Sequence, residues 1–393
     1  MRILFLSYYF EPDLSAGSFK NTALFRELLK SIKSEDFIDI YTTEPNRYSS
    51  FSNSNYEFTK GENFKITRIG VKSHQNGIVN QVRSFYIFYK EVQKEISGKE
   101  YNLVYASSSR LFTAFLGCRI SKKMKLPLYL DIRDIFADTI KDVFKDRKLL
   151  MLPISLIAKK AEKSTFKRAT HINLVSKGFK NYFQKYPYPT YSYYSNGIDD
   201  EFLEYKYNSE DYDSVQRVII TYAGNIGSGQ GLEKIIPQAA KELGNKYLFR
   251  IIGDGGTRNL LMDEIKKFSL SNIEVLKPVN RNELLDYYDK STFLFLHLND
   301  LEAFKKVLPS KIFEYGATNK PIIAGVAGYA AEFIKENLNN YILFNPIDVD
   351  SLVKQIKSYP ITFKERSDFK AKFERCKIMN DMAISIIHLA NTN

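Results

Sequence analysis

The chain alternates short apolar runs with longer amphipathic stretches throughout. RILFLSYYF, FIDIYTT, NLVYASS, LPLYLDIRD and THINLVS are nearly continuous apolar segments of strand length, the pattern of strands covered on both faces of a parallel sheet. Between them lie stretches with helical spacing: about Phe19 to Ile32, then QVRSFYIFYKEVQKEI and LLMLPISLIAKKAEKSTFKRA. The second half repeats the logic. VIITYAG, YLFRIIGDGG, NIEVLKPV, TFLFLHL, KPIIAG and YILFNP read as strands. GLEKIIPQAAKELG, TRNLLMDEIKKFS, NRNELLDYYDKS, SKIFEYGAT, AAEFIKEN and DVDSLVKQIKSY read as the helices between them. Strands alternating with helices predict parallel sheets, here two doubly wound, Rossmann-like α/β domains with a cleft between their carboxyl edges. The expected domains are 1–195 and 196–365, parted near Tyr194–Asp199 and followed by a C-terminal helix within 366–393.

A chain of 393 residues suits two such cores. Its 44% hydrophobic and 26% charged content is that of a globular protein. Cys118 and Cys376 stand far apart and outside any metal-ligand spacing, which argues against a disulfide framework or a structural zinc and for a reducing compartment. MRILFLSYYFEPD reads as a first buried strand rather than a signal peptide. No apolar run approaches the roughly 20 residues that span a bilayer, so a cytoplasmic protein is expected. The net charge of +12 attracts nucleic acid, anionic lipid or phosphorylated ligands. Part of it lies in Arg119, Lys122, Lys123 and Lys125, and part in Lys159, Lys160, Lys163, Lys167 and Arg168 beside an apolar run. That second segment has the make-up of a membrane-surface helix, although a core helix with a solvated basic face has it too. No nucleic-acid recognition motif appears.

Three loops carry candidate chemistry. In VIITYAGNIGSGQGL an apolar run ends in Gly224, Gly227, Gly229 and Gly231 before a helix. Such glycines serve tight turning, or close approach of a phosphate to the N–H groups of a helix start. IIGDGGTR repeats the theme with Gly253, Asp254, Gly255, Gly256 and Arg258, where Asp254 also suits a helix cap. In PSKIFEY, Lys311 and Glu314 share a helix face. A lysine in the first helical turn opposes the helix dipole unless an anion sits there. The pair is then either an ordinary surface pair, or a diphosphate cation with a ribose acceptor.

Taken together and in order, these segments resemble the retaining glycosyltransferases of family four, which have the GT-B fold. SYYFEPDLSAGS is similar to that family's N-terminal acceptor loop, and YSNGIDDEFL to its hinge segment. YAGNIGSGQGLEKII and IIGDGG resemble its donor phosphate loops, and PSKIFEYGATNKPIIA its ribose-binding motif. SHQNGIVNQVRSFYIFYKEV, YLDIRDIFADT and NDLEAFKKVLPSKIFEY further resemble the branch that adds amino-deoxy sugars in O-antigen and capsule synthesis, the fucosamine transferases. The chain departs from the family in three places. Lys306 stands where a second carboxylate is common, Asn225 and Gln230 replace an Arg and a Lys of the first donor loop, and Arg133 with Asp134 replaces a histidine.

The resemblance implies a retaining glycosyltransferase using a nucleotide-sugar donor, a UDP-sugar foremost, with no cofactor or metal required. The departing diphosphate would help to deprotonate the acceptor. The donor side would comprise Gly224, Asn225, Gly227 and Gln230, then Gly253, Asp254 and Arg258, with Val279, Lys306, Ser310, Lys311 and Glu314. Asp134, Arg133, Lys311 and Glu314 would assist the reaction, and Gly17, Ser18, His74 and Asp131 would line the acceptor side; the alternatives are an internal ion pair among Asp131, Arg133 and Asp134 that closes the strand end, and a structural His74. The implied acceptor is a polyprenyl-diphosphate-linked glycan, which would place the protein on the inner face of the cytoplasmic membrane, at an anionic surface. The C-terminal helix would cross back to the first domain. The alternatives are a non-catalytic glycosyltransferase-like subunit, favoured by the replaced Arg, Lys and His, and a GT-B-type nucleotide-sugar epimerase.

Overall fold

The structure, a computed structural model, describes residues 1–13, 15–45, 59–71, 78–108, 111–135, 148–207 and 217–392. Two compact units emerge: Met1–Asn196 together with Arg375–Asn393, and Gly197–Glu374.

The first unit holds β1 (Arg2–Leu6), α1 (Ala16–Ser31), β2 (Phe37–Thr43), β3 (Phe64–Ile69), α2 (Ile78–Glu95), β4 (Leu103–Ser107), α3 (Leu111–Met124), β5 (Leu128–Ile132), α4 (Lys148–Arg168), β6 (His171–Leu174) and β7 (Thr190–Ser192). The strands form one parallel sheet in the order β3-β2-β1-β4-β5-β6-β7. The order reverses between β1 and β4, the switch point beside which doubly wound sheets bind ligands. Ile3, Leu4, Phe5 and Leu6 are all fully buried, as strands covered on both faces must be. Ser15 starts α1, its extended backbone placing its hydroxyl to accept from the N–H of Ser18.

The second unit holds β8 (Val218–Ala223), α5 (Ile236–Leu243), β9 (Tyr247–Ile252), α6 (Arg258–Lys267), β10 (Ile273–Leu276), α7 (Arg281–Asp289), β11 (Phe293–His297), α8 (Lys311–Gly316), β12 (Ile322–Gly325), α9 (Tyr329–Asn337), β13 (Tyr341–Phe344), α10 (Val349–Ser358) and α11 (Ser367–Lys372). Its parallel sheet runs β10-β9-β8-β11-β12-β13, with the switch point between β8 and β11. Alternate residues feed two separate cores. Ile220, Tyr222, Phe293 and Phe295 enter one, and Ala223, Leu294 and Leu296 the other.

The return of the chain to the first unit begins at Arg375, nine residues later than the sequence suggested. Helix α12 (Arg375–Asn391) lays Met379, Met382, Ala383 and Ile386 against Leu24, Phe25 and Leu28 of α1. The segment just before it stays in the second unit because its aromatics have partners there. Phe369 packs on Phe313 and Phe333, and a Cβ at Gly316 would stand 2.2 Å from its ring.

Arg366 holds this corner of the second unit together. Almost wholly buried, it donates to the carbonyls of Thr318 (2.6 Å), Lys320 (2.9 Å), Asn339 (3.2 Å) and Asn340 (3.2 Å). Burial pushes its guanidinium down to about 10. Removing it strands the buried carbonyls of Thr318 and Lys320 at once, so Arg366→Met is expected to cost about 3–5 kcal/mol in urea unfolding. A loss below about 1 kcal/mol would show that water replaces it.

Candidate active site

In a parallel sheet every strand ends at the same edge, so the loops after β8, β9, β10 and β11 share one rim of the second unit. The loops after β8 and β9 are joined by backbone. Gly224 N–H donates to Ile252 (2.8 Å), Ile226 N–H to the Asp254 carbonyl (2.9 Å) and Thr257 N–H to Ile226 (2.9 Å). The approach leaves no room for a side chain at Gly253, where a Cβ would meet the Gly224 carbonyl oxygen at 1.8 Å. Asp254 turns its carboxylate onto the N–H of Gly255 (2.8 Å), which makes it a loop brace. Arg258 opens α6 immediately after.

Asn225 and Gln230, which stand where the family commonly has Arg and Lys, pair with each other: Asn225 Nδ2 donates to Gln230 Oε1 at 2.8 Å. Gly227 lies under that pair, and a Cβ there would meet Asn225 Nδ2 at 2.4 Å. Among the described residues, the N–H groups of Gly227, Ser228 and Gly229 have no acceptor. The two substitutions thus exchange charge for a stapled loop with free N–H groups.

Lys311 reaches over this loop from the start of α8. A Cβ on Gly224 would lie 2.4 Å from its ammonium nitrogen, which also stands 5.6 Å from the Tyr222 ring centroid. Among the described residues no acceptor or carboxylate lies within bonding reach of that nitrogen. Burial lowers its pKa, and Glu314 one turn on draws it partly back. Glu314 is half-buried and accepts from Tyr288 Oη at 3.3 Å. Ser310 occupies the N-cap position of α8 with no side-chain cap bond. Val279 lies half-buried beyond β10, and Lys306 ends a short turn beyond β11. These three and Arg258 share the rim with the glycine loops.

Two residues of this rim had no signal in the sequence. His297 ends β11 and is fully buried. Its Nδ1 lies 2.5 Å from the Gln230 carbonyl, and its Nε2 accepts from Ile347 N–H at 3.1 Å. A carbonyl only accepts and an amide only donates, so the ring carries its proton on Nδ1. Burial lowers its pKa to about 4, which keeps it neutral at physiological pH. Asn299 follows, its N–H donating to the Gly229 carbonyl and its Nδ2 to that of Ser228, both at 2.9 Å.

In the first unit, the centre of the sheet edge is a buried ion pair, as the alternative reading of Asp131 expected, but its cation is Lys20, which the sequence did not single out. Lys20 of α1 donates to Asp131 Oδ1 (2.7 Å) and to the Tyr194 carbonyl (3.0 Å). Asn173 Nδ2 donates to the same two acceptors at 2.7 and 3.0 Å. Asp131, expected on the acceptor side, is thus fully buried, and its Oδ2 has no hydrogen-bond partner. Gly17 and Ser18 are buried in the first turn of α1. Arg133 donates from Nη2 to Asn196 Oδ1 at 2.9 Å while its Nη1 is buried without a partner. Asp134 beside it is exposed. His74 lies outside the described residues.

Residues 209–372 match the model of a family described as glycosyl transferases group 1. That match lies within the second unit, Gly197–Glu374. Over 118 residues the chain is 32% identical to a putative colanic acid biosynthesis glycosyl transferase, WcaI, of Escherichia coli strain K12, an overlap covering 30% of this chain and 28% of that relative. Solved structures align over nearly the whole length. Anabaena HepE in complex with UDP-glucose gives a TM-score of 0.67 at 14% identity, over 99% of both chains. The lipopolysaccharide outer core galactosyltransferase WaaB gives 0.62 at 12%, over 98% and 99%. WaaG, a glycosyltransferase involved in lipopolysaccharide biosynthesis, gives 0.61 at 14%, over 99% and 98%. At such identities the likeness is one of architecture, and that architecture is GT-B.

Burial lowers the Lys20 ammonium to about 8 even with Asp131 drawing it back up. Desolvation therefore outweighs the pairing, and removing only one partner leaves the other charge alone in the interior. Lys20→Met is expected to lose about 3–5 kcal/mol of stability. The double variant Lys20→Met/Asp131→Asn should recover most of that loss in thermal melts. Equal losses in the two would show that the pair's charge is irrelevant.

Proposed function

We propose that the chain is a retaining glycosyltransferase that takes its sugar from a nucleotide diphosphate, with a UDP-sugar as donor. The observation that carries this reading is the Lys311 ammonium. It lies against Gly224, beside a loop with free N–H groups and without an anion of its own among the described residues. A diphosphate supplies the missing charge and takes the N–H groups. Glu314, one turn on from Lys311 and accepting from Tyr288, accepts from the ribose hydroxyls in this reading. HepE, known in complex with UDP-glucose, lends support to the uridine assignment.

The bond between the sugar's anomeric carbon and the diphosphate breaks as the acceptor oxygen bonds to that carbon on the same face. The acceptor proton passes to a departing phosphate oxygen. The β-phosphate gains charge in that step, and Lys311 with the loop N–H groups stabilises it most in the transition state. Arg258, Lys306 and Ser310 complete the donor side, with Val279 toward the base. On the acceptor side we assign Arg133 and Asp134 to orienting the acceptor, with Gly17 and Ser18 lining it. Asp131 acts there through the strand end that it fixes. The sugar transferred is an N-acetylated amino or deoxyamino sugar. The acceptor is a lipid-linked glycan of surface polysaccharide synthesis, in keeping with what WcaI, WaaB and WaaG are named for.

Calorimetric titration with UDP, GDP, ADP and dTDP tests the donor site. UDP is expected to bind, with Glu314→Ala and Lys311→Met each weakening it about tenfold to a hundredfold. Lys311→Met should leave the affinity for uridine unchanged. If no diphosphate binds the folded chain, the non-catalytic reading takes first place.

A lipid-linked acceptor also needs the first unit at a bilayer, and α4 has the surface for it. Leu156 and Ile157 are 51% and 64% exposed, with Lys159, Lys160, Lys163 and Lys167 exposed beyond them. No helix among the described residues is long and apolar enough to cross a membrane. Association is therefore expected to be peripheral, on the inner face of the cytoplasmic membrane, each basic residue adding about 1 kcal/mol at an anionic surface. Sedimentation with phosphatidylglycerol vesicles should fall about tenfold in Leu156→Asp/Ile157→Asp. Unchanged sedimentation would place the membrane face elsewhere.

A further inference from the structure

The peptide groups of the glycine loop are oriented from below. The carbonyls of Ser228, Gly229 and Gln230 all turn toward the end of β11. Asn299 Nδ2 donates to the first, Asn299 N–H to the second and His297 Nδ1 to the third. In a trans peptide the C=O of one residue and the N–H of the next point in opposite directions. Three anchored carbonyls therefore set three N–H directions. Those of Gln230 and Gly231 turn onto the Gly227 carbonyl, at 2.9 and 3.1 Å. That of Gly229 turns away from β11 and has no acceptor among the described residues.

His297 can do this because its ring has one orientation. A Cβ at Gly325 would meet its Cδ2 at 2.4 Å, and Phe295 and Phe344 stack beside it with centroids 6.1 Å away. Its second nitrogen is occupied by the N–H of Ile347, a β-branched residue held at φ +69°. That conformation is strained for such a side chain, and the imidazole helps to hold it. The ring thus binds two loops that are far apart in sequence, one following β8 and one following β13.

We infer that Asn299 and His297 are positioning residues for the nucleotide site: Asn299, holding the Ser228 carbonyl, turns the Gly229 N–H toward the donor diphosphate, and His297, holding the Gln230 carbonyl, fixes the turn that carries it. This rests on the donor reading above. A satisfied core histidine would act through packing alone. A positioning residue acts through the hydrogen bond from Nδ1.

Two conservative variants separate these roles. Asn places a donor near the position of Nδ1, whereas Gln places its amide near Nε2. His297→Asn is expected to retain UDP affinity within about threefold, and His297→Gln to lose about tenfold. Both should keep uridine affinity, because the base and ribose do not depend on this peptide. Thermal melting shows whether each variant is folded. Equal loss in both variants, or equal loss for UDP and uridine, overturns the inference in favour of packing. If the wild type binds no nucleotide, the donor reading fails, and amide exchange still decides the positioning. Gly231 N–H should exchange about tenfold faster in His297→Gln than in His297→Asn, and equal rates overturn it.

Discussion

The second unit depends on one close approach, that of the Gly253 α-carbon to the carbonyl of Gly224. With a Cβ position only 1.8 Å from a backbone oxygen, the ends of β8 and β9 can meet only through glycine. Their meeting lets Ile226 donate to Asp254 and Thr257 donate to Ile226. Once those bonds exist, the first loop has no freedom at its start. Asn225 and Gln230 then close it from above, and Asn299 and His297 from below. Lys311 completes the arrangement by lying over the same glycine. The chemistry of the rim is therefore a property of backbone held at short range, with few side chains aimed directly at a ligand.

Much of this was legible in the sequence because it is local. The strand-to-glycine-to-helix junctions at Gly224 and Gly253 are read from adjacent residues, and so is the shared face of Lys311 and Glu314. The alternation of apolar runs and helices fixed the two parallel sheets for the same reason. Asn225 and Gln230 were legible as substitutions, while their pairing across the loop was not.

What escaped was long-range. His297 sits in FLFLHL, an apolar strand in which a histidine looks like a tolerated intruder. Its partners lie 67 and 50 residues away. Lys20 lies on an amphipathic helix, and Asp131, to which it is bonded, is 111 residues distant. Nothing in either neighbourhood reveals that both groups are fully buried. The start of the returning segment at Arg375 was equally hidden, because the aromatic cluster that keeps Phe369 in the second unit is built from three separate helices.

The helix that closes the first unit has a consequence for the order of assembly. Met379, Met382, Ala383 and Ile386 cover Leu24, Phe25 and Leu28, yet the whole second unit is synthesised between them. On the ribosome the α1 surface of the first unit must therefore wait, apolar and uncovered, while another complete sheet is made. The domain begun first is finished after its neighbour, and its exposed face is a natural point of engagement for a chaperone during that interval.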